Sequence, residues 1–414
     1  MKRRVVITGL GPIAACGIGK AAFWDSIRAG RSGIRRITAF DPGSCRATVA
    51  GEVLDWDASA FFSPHRLKRL DRYAQFAVAS ALLALDDSGF AWSRESPNDR
   101  VGVSFGTALG GISHAEHEHV LFLKKGARAV NQTIALQIFG GSAHSNIAIE
   151  CGFRGPGTTN SNSCASGVIA VGEALRYLRD GYADVMIAGA AESPLCPLTF
   201  SAFDLIKTLS RWNGEPAAHA CRPFDTRRDG FVMGEGGASL VMETLEHAEK
   251  RGARIYAEVC GYALNNEAYH MTTPRPGGEP VKECMRAALE DSRVPFEEID
   301  YINAHASGTQ ANDGNEATCI REVFGVRVPS ISGTKPFTAH PLGATGAMET
   351  AICALALHEG YLPPTLHLES PDPVCAGLDL IPNVGRPAPL RAAMNNAFGF
   401  GGINSSIVLR RART

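Results

Sequence analysis

The chain has 414 residues, 45% of them hydrophobic and 20% charged, and carries a net charge of −1. That length suits two or three domain-sized units, or one duplicated fold with a large core, and the composition excludes a disordered or fibrous chain. The near-neutral balance offers no general attraction to nucleic acid or to an anionic membrane, so a charged partner must be met by a local patch.

At the start, Met1-Lys2-Arg3-Arg4 imitates the basic region of a signal peptide, but Val5 to Gly9 is too short an apolar run for one and reads as a strand. No apolar run approaches the roughly 20 residues of a membrane span. Eleven scattered cysteines contain no C-x-x-C pair, which argues against a disulfide framework or a cysteine-rich zinc site. A cytoplasmic protein with reduced thiols is expected. Gly9-Leu10-Gly11-Pro12-Ile13-Ala14 copies the glycine spacing of a dinucleotide-binding turn, yet Pro12 and Cys16-Gly17 make a loop and the next helical pattern starts late. The expectation is a tight turn without nicotinamide.

Arg66, Lys68, Arg69 and Arg72 then form a basic cluster ahead of an Ala-rich buried helix over 73–85. Such a cluster is either a solvated face or a dock for an acidic partner. Short β-rich runs at 101–107 and 184–190 bracket the segment Asn162-Ser163-Cys164-Ala165-Ser166-Gly167. After it, Val168, Ile169, Val171, Ala174, Leu175 and Leu178 recur at helical spacing, and Gly181 is a stop signal. Cys164 therefore sits at or near a helix N-terminus, where unpaired N–H groups and the helix dipole favour a thiolate and can hold an oxyanion. Most cysteines are small buried hydrophobes, but the Ser, Ala and Gly flanks leave room for a substrate to reach this sulfur.

A glycine-rich stretch over 221–237 leads to a strand at 238–243 and a helix at 245–251, and after Gly252 the pattern begins again. Strands are expected at 255–261, 299–304 and 328–332, with helices at 281–291 and 343–358. Gly333-Thr334 ends its strand as Gly106-Thr107 ends the earlier one, and the 343–358 helix follows its strand as the Cys164 helix follows its own. Two α/β halves, 1–252 and 253–414, stacked through a shared layer, would bring the two helix starts together. His305 and His340 stand at strand-to-loop corners of the second half, with Lys335 nearby. Near the end, Phe398 and Phe400 alternate with glycines, including Gly401, before a last strand at 407–409. Glycines there allow a main-chain N–H to be aimed at a reacting oxygen, and the rings suit a gate or a pocket wall.

Together these motifs resemble the β-ketoacyl synthases of the thiolase fold, over nearly the whole chain. The resemblance implies an α/β fold of two pseudo-duplicated halves in five layers, α-β-α-β-α, and a decarboxylative Claisen condensation. It implies Cys164 as the acyl acceptor, His305 and His340 as stabilisers of the enolate, and Lys335 as an electrostatic organiser paired with Glu349. The helix start and the Phe400 N–H would form the oxyanion hole, with Phe400 also gating the second substrate. Thr309, Asp313 and Asn404 are supporting residues. Arg66, Lys68, Arg69, Lys207 and Arg211 match the region where the family meets acyl carrier protein. The substrates ride on the carrier's phosphopantetheine, and neither metal nor other cofactor is implied.

The stretches Arg72 to Val78, Tyr269 to Thr272 and Tyr301 to Asp313 look most like the ketosynthase α-subunit of bacterial type II polyketide synthases, which implies a heterodimer with a chain-length factor. A homodimeric fatty-acid elongation synthase is the alternative. A non-catalytic chain-length or scaffold subunit is a third, against which Cys164, His305 and His340 speak together. Three positions depart from the family pattern: Ala306 and Ala339 where glycine is usual, and Pro336 where serine is expected. Each adds bulk or stiffness beside a catalytic group, which leaves the shape of the pocket and its substrate preference open.

Overall fold

The computed structural model describes residues 2–43 and 45–412. Its ten principal strands are β1 (Val5–Ala14), β2 (Val101–Gly106), β3 (Gly157–Asn160), β4 (Val185–Glu192), β5 (Gly236–Thr244), β6 (Ala257–Asn266), β7 (Ile299–Asn303), β8 (Ser330–Ser332), β9 (Ala392–Gly399) and β10 (Ile403–Arg411). They lie in the order β8-β7-β9-β10-β6-β1-β5-β4-β2-β3. Read inward from either edge, the pairings are parallel, parallel, antiparallel and antiparallel. The two runs meet at a short antiparallel seam, where Val5, Val6 and Ile7 face Val259, Glu258 and Ala257. Each half of the chain thus lays down the same sequence of pairings.

Six helices complete the repeat: α1 (Arg72–Ser88), α2 (Ser142–Cys151), α3 (Ser166–Arg179), α4 (Glu279–Ser292), α5 (Gln310–Phe324) and α6 (Thr345–Glu359). Three apolar cores separate the layers. One joins α1 and α2 to the outer face of the run β1-β5-β4-β2-β3, another joins α4 and α5 to the outer face of the run β6-β10-β9-β7-β8, and the largest surrounds α3 and α6 between these two half-sheets. Five layers, α-β-α-β-α, follow as expected. From Thr345 to Leu357 every residue of α6 is buried, the signature of a helix enclosed on all sides. No helix among the described residues is long and apolar enough to cross a membrane.

The small residues of the central pair have a packing cause. A Cβ on Gly167 would lie 2.4 Å from the Ala347 nitrogen, and one on Gly346 would lie 2.7 Å from the Val168 nitrogen. The α3 and α6 backbones therefore touch, and a side chain at either crossing point has no space.

Two boundary expectations need correction. Gly9 to Ala14 is not a turn, because β1 runs unbroken through Gly11-Pro12 to Ala14. Its glycines admit α1: a Cβ at Gly9 would stand 2.1 Å from the Ala84 carbonyl oxygen, and one at Gly11 2.0 Å from that of Ser80. Strand β10 begins at Ile403, not at 407, since Gly401 and Gly402 (φ 90° and 69°) reverse the chain directly into it.

The crossing gives a test. Gly167→Ala drives a methyl into the Ala347 backbone, and overpacking of this kind costs about 1–3 kcal/mol. A lower midpoint in chemical denaturation is expected, and an unchanged midpoint would mean that the two helices can separate without loss.

Candidate active site

Cys164 lies in a single 3₁₀ turn, Ser163–Ala165, that runs straight into α3. Ser163 takes a left-handed backbone (φ 53°). The Ser166 hydroxyl braces the turn, accepting the Asn162 N–H at 2.8 Å and standing 2.9 Å from the Thr107 carbonyl. The sulfur is 3.1 Å from His340 Nε2. On the far side of that ring, Nδ1 is 2.7 Å from the Thr345 hydroxyl, at the start of α6. The His340 main chain is bound to the first half: its N–H donates to Val232 O at 2.7 Å and its carbonyl accepts from Gly234 N at 3.1 Å.

His305 follows β7, its ring nearly perpendicular to that of His340 with centroids 5.5 Å apart. Glu316 on α5 fixes the loop by accepting the N–H groups of His305 and Ala306, each at 2.8 Å. Among the described residues His305 Nδ1 is buried without a partner, which leaves Nε2 as the nitrogen open to the cavity. Lys335, wholly buried, donates to the His305 carbonyl and to Glu349 Oε1, the latter at 2.7 Å.

Burial, and after it the Lys335 charge, holds both imidazoles well below the usual histidine range, so both rings are neutral at pH 7. Cys164 departs from expectation. Burial pushes its thiol up, and the Ser163 hydroxyl, Lys335 and the Phe400 N–H only partly oppose that rise. Enclosure outweighs the helix terminus, and the resting group is a thiol.

These side chains open on one cavity of about 390 Å³, with the exposed Lys207 and Arg211 among its lining residues. Phe398, Phe400, Thr309 and Asn404 also line it. Phe398 packs 5.9 Å from the His305 ring and Phe400 stacks on Phe203 at 6.2 Å. The Thr309 hydroxyl caps α5, and Asn404 donates to Asn265 at 3.1 Å. Gly401 stands outside the lining and donates its N–H to Met271 at 2.8 Å. Asp313 is a brace behind the wall, accepting the N–H groups of Phe224 (2.9 Å) and Gly308 (3.1 Å). Arg66 is committed elsewhere, to Glu150 at 3.1 Å and Asn146 at 2.9 Å, whereas Lys68 and Arg69 are exposed; none of the three lines the cavity.

The three departures from the family pattern stand apart from the pocket wall. Ala306 and Ala339 are left-handed, at φ 40° and 59°. Their methyls point into the protein, with that of Ala306 against Gly333 and that of Ala339 between Gly51 and Gly234. Pro336 opens a short helix, Lys335–Thr338, where its missing N–H costs little. None of the three lines the cavity. Sequence reading missed Glu316, Thr345 and Phe231, whose ring lies 5.2 Å from His340. Glu316 stands one helical turn after Asp313, and that spacing was the available signal.

A buried thiol in contact with one neutral imidazole and facing a second, in a cavity open to a basic rim, defines an acyl-transferring enzyme of the covalent kind. The model for the beta-ketoacyl synthase N-terminal domain matches residues 2–248 and that for the C-terminal domain residues 256–369. The chain belongs to the beta-ketoacyl synthase family. It is 43% identical to the tetracenomycin polyketide synthase ketoacyl synthase alpha subunit of Streptomyces glaucescens, over 100% of this chain and 98% of that one. It is 40% identical to the 3-oxoacyl-(acyl-carrier-protein) synthase 2 of Coxiella burnetii, over 99% of both. The solved ishigamide ketosynthase/chain length factor superposes with a TM-score of 0.92 at 35% identity, over 100% of both chains.

Two outcomes follow. Because burial raises the Cys164 thiol, its alkylation by iodoacetamide, followed by intact mass, is expected to keep accelerating as pH rises past the ordinary thiol value of 9; a plateau near neutral pH would contradict a resting thiol. Ala306→Gly and Ala339→Gly exchange relief of a left-handed alanine for loss of a buried methyl worth about 0.8 kcal/mol. Stability within about 1 kcal/mol of the parent and alkylation within about threefold are expected, and a larger change in alkylation would return these methyls to the pocket wall.

Proposed function

We propose that this chain is the catalytic ketosynthase subunit of a type II polyketide synthase, joining a malonyl unit to an acyl or polyketide chain held on Cys164. The observation that carries this reading is the buried contact of Cys164 with His340, beside His305, in a chain so close over its whole length to a polyketide ketosynthase alpha subunit.

The geometry supports each step. The Cys164 sulfur attacks the thioester carbonyl of an acyl group on its carrier. The oxygen that gains charge is met by the Phe400 N–H and the start of α3. The carrier thiol leaves with the proton given up by Cys164. A malonyl thioester then enters past Phe400. With Thr345 donating to Nδ1, His340 Nε2 carries the ring proton and turns it toward the cavity, as does His305 Nε2. Both donate to the thioester oxygen as carbon dioxide departs, and neutral rings suit this task because they stabilise an enolate without protonating its carbon. The carbanion attacks the Cys164 thioester and releases the sulfur, leaving the chain two carbons longer. Lys335, spanning the His305 carbonyl and Glu349, fixes the loop and adds to burial in keeping both rings neutral. In this reading the steps are carried by these groups, and the carrier's phosphopantetheine brings the substrates.

Lys207 and Arg211 at the cavity, together with the exposed Lys68 and Arg69, would meet the acidic carrier in salt-sensitive contacts. A heterodimer with a chain-length factor in the cytoplasm fits this reading, supported by the likeness to the ishigamide ketosynthase/chain length factor. The likeness to the Coxiella synthase favours a second reading, a fatty-acid elongation enzyme acting as a homodimer. A non-catalytic scaffold is disfavoured by the complete set of Cys164, His305 and His340.

Intact-mass analysis with acyl and malonyl carrier protein, with and without a candidate partner subunit, tests the proposal. Cys164→Ala is expected to abolish acyl loading, and His305→Ala to load but not decarboxylate. Acyl loading that persists in the Cys164→Ala variant sinks the nucleophile assignment, and a homodimer that elongates unaided sinks the polyketide reading.

A further inference from the structure

The side chain of Glu192, the last residue of β4, is wholly buried next to the site and stands outside the lining of its cavity. Its two oxygens accept four donors. Oε2 takes the Ala108 N–H at 2.6 Å and the Gly343 N–H at 3.1 Å; Oε1 takes the Leu109 N–H at 3.1 Å and the Thr107 hydroxyl at 3.0 Å. A carboxylate has about four lone-pair sites, and all are used.

The donors come from both halves of the chain. Thr107, Ala108 and Leu109 follow β2, whereas Gly343 lies three residues after His340. The Gly343 turn sits flush on this loop: a Cβ there would stand 2.5 Å from the Ala108 nitrogen and 2.8 Å from Glu192 Oε2. Between the two fixed points, His340 and Gly343, Leu342 is held left-handed at φ 37°. From Thr107 the connection continues through its carbonyl to the Ser166 hydroxyl and on to Asn162, in the turn that carries Cys164. Glu192 thus closes a ring of contacts whose remaining edge is the 3.1 Å approach of Cys164 to His340.

We propose that Glu192 is a positioning residue for the condensation, holding the His340 turn against the Cys164 turn across the boundary between the two halves. The proposal rests on the condensation reading for its kinetic consequence, but the alignment of sulfur and imidazole does not depend on it. A carboxylate is required because no neutral side chain of this size accepts four donors. Burial pushes the Glu192 carboxyl up to about 7 against those hydrogen bonds, the cost of keeping an acid in this place.

Two measurements test it. Glu192→Gln keeps the shape but turns an amide NH₂ toward two N–H donors. In the folded variant, condensation kcat is expected to fall about tenfold or more with KM for the carrier within about twofold; an unchanged kcat, or a loss confined to KM, overturns the proposal. Thr107→Val leaves the carboxylate in place and removes one of its donors. It is expected to change the rate of Cys164 alkylation by iodoacetamide at least about twofold in the parent and not at all in a His340→Ala background. An equal change in both backgrounds, or none in the parent, overturns it. This second arm needs no carrier, so it decides even where the condensation reading fails or Glu192→Gln does not fold.

Discussion

The geometry of the site depends on one steric fact, the contact of the α3 and α6 backbones at Gly167 and Gly346. Each helix begins beside a functional group: α3 carries Cys164 in the turn before it, and α6 carries Thr345, the partner of His340, as its first residue. Sheets on both sides bury the pair, so neither helix can slide without opening the largest core of the molecule. A side chain at either glycine would push the helix starts apart by more than the tolerance of a 3.1 Å sulfur–nitrogen contact. Duplication supplies the remaining condition, since two equivalent halves facing each other present their equivalent helix starts to one point.

Around that point the protein buries charge in order to keep histidines uncharged. Lys335 and Glu349 pair inside the core, and removing one partner of such a pair costs about 3–5 kcal/mol. The Lys335 ammonium is spent on Glu349 and the His305 carbonyl, but its field still reaches both imidazoles and disfavours their protonation. The thiol feels the same field with the opposite consequence, since a cation favours its charged form and lowers its pKa. One buried lysine thus eases the loss of a proton at the thiol and opposes the gain of one at two imidazoles.

Much of this was legible in the sequence, and what was not has identifiable causes. The repeat of strand and helix signals and the loops of His305 and His340 could be read because each rests on local pattern or spacing, whereas the Lys335–Glu349 partnership came only with the family resemblance. Gly9 and Gly11 were misread because a glycine that admits a helix and a glycine that makes a turn look the same in one dimension; only the position of Ala84 and Ser80 separates them. The thiolate at Cys164 was expected from the helix start, a local feature, whereas the burial that overrides it comes from residues far apart in the chain. Glu192 and Glu316 escaped notice because they bind main-chain N–H groups, which leave no mark on the residue types they hold.

Three residues of the site share a backbone feature. Cys164 follows Ser163, His305 precedes Ala306 and His340 follows Ala339, and all three neighbours are non-glycine residues in the left-handed region. Such a residue costs of order 1 kcal/mol or more, and so persists only where the surroundings over-determine it. A left-handed residue reverses the chain within one step, which lets a side chain leave the end of a strand or turn and point into the crevice between the halves. The strain is held by the contacts already named: Ser166 under Ser163, Glu316 on the Ala306 N–H, and the tight seat of the Ala339 methyl between Gly51 and Gly234. Alanine in place of glycine at 306 and 339 therefore makes the loops stiffer rather than the pocket smaller.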